Sequence, residues 1–417
     1  MTPRPAATSA VAGMTMVTAG SMTANLASYV LALLASRWLG PSGYSEFASL
    51  LAAQLVLAVP ALALQTVVAR EVVLGDGGAA LRALGRRCAV IVAVIAAALV
   101  VPVAAVLDTG VGATAAALLT APVLVLLATE QGLLQGGGRF GELSVILAAT
   151  GVAKVVPAVA VLAVGGGAGA ALVAAAVGTA AVAVGARLLA GRDAAGPARG
   201  AAVGVGAVLR ASQVQLALIA LSSVDLLLTR VVLDEAQAGQ YALGAVATKA
   251  AFWLPAAVGV VLYPRMASPA HSAKAVRSAL GVLVGLGAVT VAGAALVAPL
   301  APMLVGQEYA PVQGLLWLFA LDGACLAVLQ GALLSAIARE RTRLALAAWV
   351  ALAVEVALIL GFASTILQLV TIAVATAALA ALAMSVAALR GAAGPPPHDL
   401  PNVTPVRLGR LKVTIGW

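Results

Sequence analysis

The sequence predicts an all-α polytopic membrane protein, twelve transmembrane helices in two six-helix halves, on three observations. Of its 417 residues, 63% are hydrophobic and only 9% charged, against about 25% charged in a soluble domain. The apolar residues fall in runs of helix-spanning length. The cations collect on alternate sides of those runs. The apolar fraction suffices for at most about thirteen spans of some 20 residues, which leaves little chain for a soluble catalytic domain.

Charged, Gly-rich or Pro-rich punctuation separates the runs, which lie at 11–36, 47–69, 88–107, 111–135, 143–164, 168–186, 209–228, 239–263, 279–303, 311–335, 344–362 and 365–389. Barrel strands would alternate in polarity over about ten residues; these runs do not, and helices are the other structure that satisfies its backbone in lipid. Arg4 precedes the first run as in a signal peptide, but the run continues past a cleavable length, so it reads as a retained helix.

With the N-terminus inside, 20 of the 24 Lys and Arg fall in inside segments. Arg37 and Arg230 fall outside, and Lys154 and Lys249 lie within apolar runs. This asymmetry predicts a multi-pass protein of the cytoplasmic membrane with both termini cytoplasmic. It also accounts for the net charge of +9 without a nucleic-acid partner. The longest inside loop, Arg187 to Arg210, is rich in Gly and Pro and divides the runs six and six. The expected organisation is an N-terminal lobe at 1–190, a cytoplasmic linker at 191–208, a C-terminal lobe at 209–390, and a basic cytoplasmic tail at 391–417 that begins with Pro395-Pro396-Pro397 and has no assigned role.

The halves share landmarks. Arg37, Gly43-Tyr44, Pro60 and Arg70 in the first are matched by Arg230, Gly239, Tyr241, Pro255 and Arg265 in the second, with ten residues from Pro to Arg in both. Six spans per half make the repeat parallel, related by an axis along the membrane normal, an arrangement found in transporters. The corresponding first and seventh spans carry polar stripes at helical spacing: Thr18, Ser21, Asn25 and Ser28 in one, Ser212, Gln215, Ser222, Asp225 and Thr229 in the other. Such stripes face either a partner helix, at about 0.6 kcal/mol per hydrogen bond, or a shared aqueous cavity between the halves.

Six ionisable residues fall within runs: Glu130, Lys154, Asp225, Lys249, Asp322 and Glu355. Each costs roughly 2.5–3.5 kcal/mol at a helix centre, so each is either part of a neutralising pair or functional. Lys154 and Lys249, with Arg37 and Arg230 at an outer rim, are candidates for an anionic headgroup such as a diphosphate. Asp225, Asp322, Glu355 and Glu130 are candidates for coupling to H+ or Na+, and Asn25, Ser28, Gln215 and Ser222 for polar cavity lining. Two cysteines and two histidines offer no metal site or disulfide framework. Neither a Gly-x-Ser-x-Gly elbow nor a Walker loop is present, so no enzyme activity and no cofactor are expected.

The segments Leu39-Gly40-Pro41-Ser42-Gly43-Tyr44, Asp225 to Arg230 followed by Ala238-Gly239-Gln240-Tyr241, Leu262-Tyr263-Pro264-Arg265-Met266, Gly306-Gln307-Glu308-Tyr309-Ala310, and Gln330-Gly331 with Ala338-Arg339 resemble, in order, the Wzx-like polysaccharide-biosynthesis flippases of the multidrug/oligosaccharidyl-lipid/polysaccharide exporter superfamily. The resemblance spans nearly the whole chain. It implies two six-helix lobes forming a V around a central cavity, and ion-gradient-driven alternating access that moves a polyprenyl-diphosphate-linked oligosaccharide to the outer leaflet. It implies that basic cavity residues hold the diphosphate, here Arg37, Lys154 and Lys249, with Arg230 less closely matched. Glycosyltransferases and a glycan polymerase would be its partners in polysaccharide synthesis. Many relatives have fourteen spans rather than twelve. The chain also has no dense arginine cluster in its first two spans, a departure that argues against a peptidoglycan precursor. The alternative reading is a multidrug or cation antiporter of the same superfamily, which predicts a carboxylate-rich cavity. A membrane-embedded polymerase or glycosyltransferase would need a large outer loop, and the longest here, Thr229 to Ala238, is about ten residues.

Overall fold

The computed structural model describes residues 6–191, 204–266, 272–337 and 345–393, and these are helical almost throughout. The helices are α1 (Ala6–Leu57), α2 (Val59–Leu74), α3 (Gly78–Leu107), α4 (Val111–Leu118), α5 (Thr120–Gly136), α6 (Phe140–Ala163), α7 (Ala168–Ala190), α8 (Val205–Leu221), α9 (Val224–Val232), α10 (Glu235–Met266), α11 (Ser272–Val297), α12 (Ala301–Val305), α13 (Ala310–Gln313), α14 (Leu316–Ile337), α15 (Ala345–Phe362) and α16 (Ile366–Ala393).

Among the described residues, nine stretches are long and apolar enough to cross a membrane, against twelve runs in the sequence. The first stretch, Thr15–Leu74, is 60 residues long and holds two of the expected runs. Its break is at Gly40, whose φ of 66° and ψ of 179° reverse the helix just before Pro41. Glycine reaches that left-handed region without a Cβ penalty, and the following proline withholds a backbone donor. The segment 37–46 is therefore a sharp helix-to-helix turn and not a loop. Leu346–Phe362 is helical but short of spanning length, and α10 has described side chains only as far as Trp253.

Other spans are helices in two pieces. The second breaks at Ala58, ahead of Pro60; the fourth breaks at Leu119; the seventh breaks at Ser222–Ser223. Each break frees backbone carbonyls that a continuous helix would use.

Within the first half, α1 runs along α6, α6 along α7, and α2 along α5; within the second, α14 takes α10, α11 and α16 on its sides. The halves meet where α1 crosses α10 and where α2 meets α8. At the first meeting Tyr44, Phe47, Tyr241, Tyr309 and Phe319 share one buried cluster, with Tyr241 and Phe319 edge to face at 4.8 Å between ring centroids. On the periphery, α3 and α11 turn Val94, Val101, Val284 and Val289 outward, as suits helices whose solvent is lipid.

The expected linker differs in extent, because α8 begins at Val205 and Arg187 and Arg210 both lie on helices; residues 192–203 are outside the described set. Helix α16 continues to Ala393, and the rest of the expected tail, with Arg339, Arg341 and Arg343, also lies outside it.

Candidate functional site

A cavity of about 320 Å3 lies between the two halves. Its lining alternates sides: Asn25, Ser28 and Tyr29 from the first part of α1, Tyr44 to Leu55 from its second part, Lys154 from α6, Leu226 from α9, and Ala242 to Trp253 from α10. Two cations from opposite halves, Lys154 and Lys249, therefore share one cavity, and among the described lining residues there is no Asp or Glu.

Glycines set the helices that carry both lysines. A Cβ on Gly178 of α7 would lie 1.7 Å from the carbonyl oxygen of Ala153, the residue before Lys154. A Cβ on Gly323 of α14 would lie 2.1 Å from the carbonyl oxygen of Thr248, the residue before Lys249. Only a hydrogen at these positions lets the backbones approach so closely, the usual means of helix association in lipid. Thr248 also donates to the carbonyl of Phe319 at 2.9 Å, fastening α10 to α14.

The lysines differ in what they touch. Lys249 donates to the Ser222 carbonyl, to Ser223 Oγ at 2.7 Å and to Ser222 Oγ at 3.2 Å. These acceptors stand at the C-terminal end of α8, where the seventh span breaks, and a cation is favoured there by the freed carbonyls and the helix dipole. Lys154 has no hydrogen-bond or charge partner among the described residues; its surroundings only desolvate it.

Behind Lys249 the second half holds three carboxylates, Asp225, Asp322 and Glu355, each at most 4% exposed and all close enough to act on one another electrostatically. Tyr241 donates its hydroxyl to Asp225 Oδ2 at 2.7 Å. Asp225 Oδ1 and Glu355 Oε1 are buried without a partner. Asp225 immediately precedes Leu226, a cavity-lining residue, so the acids sit behind the cavity wall and not on it. They do not converge on a metal-ligating point; no group of three or more His, Cys, Asp or Glu among the described residues does.

Glu130 stands apart. It accepts from Arg82 at 2.9–3.2 Å, with the side chains of the pair 8% and 6% exposed, and Arg187 approaches at 3.7 Å. Arg82, counted from sequence as an inside-loop cation, is thus a buried partner of a membrane carboxylate. Arg37 and Arg230 lie beyond the cavity lining. Arg37 donates to the Leu304 carbonyl at 3.3 Å, and Arg230 to the carbonyls of Leu107 and Asp108 and to Ser45 Oγ.

Of the polar stripes, Asn25 and Ser28 face the cavity. Ser212 and Thr229 donate to carbonyls of their own helix, the local satisfaction that Ser and Thr commonly find in helices. Gln215 does not line the cavity, and Ser222 serves Lys249. Sequence reasoning singled out neither Ser223 nor Tyr241 as a partner of a charged group. Tyr241 was visible as a repeat landmark, but its tie to Asp225 depends on how α9 packs against α10.

The sequence matches no family model and no curated relative. Its fold is similar to that of solved transporters. A mutant of the Vibrio cholerae MATE transporter VcmN superposes with a TM-score of 0.62 at 15% identity, over 92% of this chain and 96% of that one. An inward-facing multidrug resistance MATE family transporter of the MOP superfamily gives 0.58 at 15%, over 89% and 94%. A MOP superfamily transporter from Pyrococcus furiosus, described as having a binding pocket of reverse polarity that suggests a different function, gives 0.50 at 14%, over 91% and 95%. The chain has the all-helical fold of MATE transporters.

Proposed function

We propose that this protein is a flippase that moves a polyprenyl-diphosphate-linked oligosaccharide across the cytoplasmic membrane for polysaccharide synthesis, by alternating access coupled to an ion gradient. The observation that carries the reading is the cavity between the halves, lined by Lys154 and Lys249 and by no described carboxylate. A desolvated ammonium with no partner of its own attracts a phosphate strongly, because low dielectric magnifies the charge pair. Lys154 is such a group, and Lys249 lines the same cavity from the other half, so one diphosphate held by both would tie substrate to the two halves. Asn25, Ser28 and Tyr29 offer hydrogen bonds, and Tyr29 and Trp253 offer rings against which sugars stack. Pocket polarity was taken as a guide to function in the Pyrococcus furiosus transporter, and by that guide a positive cavity favours an anionic substrate over a cation.

Asp225, Asp322 and Glu355 are the proposed coupling groups. The three act on one another electrostatically, and Asp225 and Asp322 act on Lys249, so a cation taken up among them would change the field on that lysine. In this reading the excess of Lys and Arg in alternate segments supports a cytoplasmic side that carries both termini and the Arg82–Glu130 pair. A multidrug antiporter is the second reading, favoured by the multidrug transporter among the structural neighbours.

The test is leaflet transfer of a fluorescent polyprenyl-diphosphate oligosaccharide in proteoliposomes, with and without an imposed pH or Na+ gradient, for the wild type, Lys154→Ala and Lys249→Ala. Gradient-dependent transfer by the wild type, weakened at limiting substrate in the lysine variants, is expected. Absence of transfer, together with export of a cationic dye that Asp322→Asn abolishes, would move the assignment to the antiporter.

A further inference from the structure

Beyond the cavity, the two halves touch at one end through contacts that repeat by the internal duplication. Pro41 begins the second span, just after the Gly40 break, and Gly239 lies at the start of the eighth. A Cβ on Gly239 would stand 1.9 Å from the Pro41 carbonyl oxygen and 2.3 Å from its carbon, so the two backbones meet directly. The arginines on either side of this crossing do the same thing in opposite directions. Arg37 closes the first span of the first half and donates to Leu304, near the C-terminal end of α12, where the third span of the second half finishes. Arg230 closes the first span of the second half and donates to Leu107 and, at 2.6 Å, to Asp108, at the end of the third span of the first half. In both cases a guanidinium meets carbonyls at a helix C-terminus, where carbonyls lack intrahelical partners and the helix dipole is negative. At Asp108 the backbone turns left-handed, φ 48°, which presents its carbonyl beside that of Leu107. Tyr309 adds a third tie, donating to the Ser36 carbonyl at 3.0 Å, and Arg230 a fourth, to Ser45 Oγ at 2.9 Å.

We infer that Pro41–Gly239 and the two reciprocal arginine clasps form a gate that closes this end of the cavity, and that the gate must open for the cavity to face that side. The sites lie across the boundary between the halves and no further than a turn or two from cavity-lining Tyr44 and Ala242. Their acceptors are backbone carbonyls, so the clasps hold whatever the protonation state of the buried acids, and neither arginine is available to a headgroup while the gate is shut. Gly239 sets how far it shuts: any side chain there collides with backbone that cannot rotate away.

The test reads accessibility and not transport, so it stands whether or not the substrate reading does. In a Cys88→Ala, Cys325→Ala background, Ala245→Cys reports from the cavity wall. A membrane-impermeant thiol reagent is applied to cells and, separately, to inverted membrane vesicles. With the gate on the face away from the arginine-rich segments, Gly239→Val is expected to raise labelling from outside several-fold and lower it from inside. Arg37→Ala with Arg230→Ala is expected to shift labelling the same way, less strongly, and each single variant by a part of that; this double variant decides the matter if Gly239→Val fails to fold, as judged by detergent size-exclusion. Labelling unchanged on both faces in well-folded variants, or raised from the inner face, would overturn the gate.

Discussion

The two halves of the molecule share a plan but handle buried charge in opposite ways. The first half pairs its membrane carboxylate, Glu130, with Arg82 at bonding distance, and leaves its cavity lysine, Lys154, without a partner. The second half binds its cavity lysine, Lys249, to a broken helix end and leaves two carboxylate oxygens, on Asp225 and Glu355, without one. A paired buried charge is a structural element that is costly to break. An unpaired one is costly to keep, and so marks a place where something else binds. The first half thus presents a cavity cation, Lys154, with no described partner beside a paired carboxylate, and the second a set of buried acids behind a restrained cation.

The largest effect that would break this comparison is at the paired charges. Arg82→Ala is expected to destabilise the protein by about 3–5 kcal/mol, because it leaves the buried Glu130 with only the more distant Arg187; Glu355→Gln, which replaces a buried carboxyl with one oxygen lacking a partner, is expected to leave thermal stability in detergent unchanged or raise it. Equal losses in the two variants would erase the distinction. Next come the lysines: Lys154→Ala should raise the half-saturating substrate concentration at least about tenfold, consistent with roughly 1.5–3 kcal/mol for a hydrogen bond to a charged group, with little change in the response to a gradient. Lys249→Ala should alter both affinity and gradient response, since Lys249 feels Asp225 and Asp322. Proteoliposome transfer at graded substrate and gradient separates the two outcomes.

A smaller effect is expected at the glycines that seat the lysine helices. Gly178→Ala and Gly323→Ala each force a Cβ against a carbonyl oxygen, and overpacking of this kind costs about 1–3 kcal/mol, read as a lower midpoint in thermal unfolding. The smallest is at Ser212→Ala, whose hydroxyl only bonds its own helix; a change within about 0.5 kcal/mol is expected, and a larger one would show that the seventh-span stripe has a partner.

Much of this was legible in the chain. Runs such as 88–107 and 143–164 appear as α3 and α6 because apolar length and helical backbone satisfaction are local properties. The placement of Lys154 and Lys249 in one cavity was also foreshadowed, since both lie mid-run and lipid excludes them. The segment 37–46 separates two apolar runs in the sequence, but Gly-Pro punctuation marks a break in helix without stating its length, so only the structure shows the turn to be confined to Gly40. Glu130 was grouped with the coupling acids because sequence shows a carboxylate in a membrane run but not the arginine 48 residues earlier that neutralises it.

Composition and hydropathy, summed residue by residue, were enough to determine a helical membrane protein and the short roster of charges that must avoid lipid. Which charges pair, which stand free, and which arginines clasp the halves was decided by tertiary structure alone. Those contacts join residues as far apart as Arg230 and Leu107 or Arg37 and Leu304, and their energies depend on helix crossings and glycine-set distances that no one-dimensional pattern encodes.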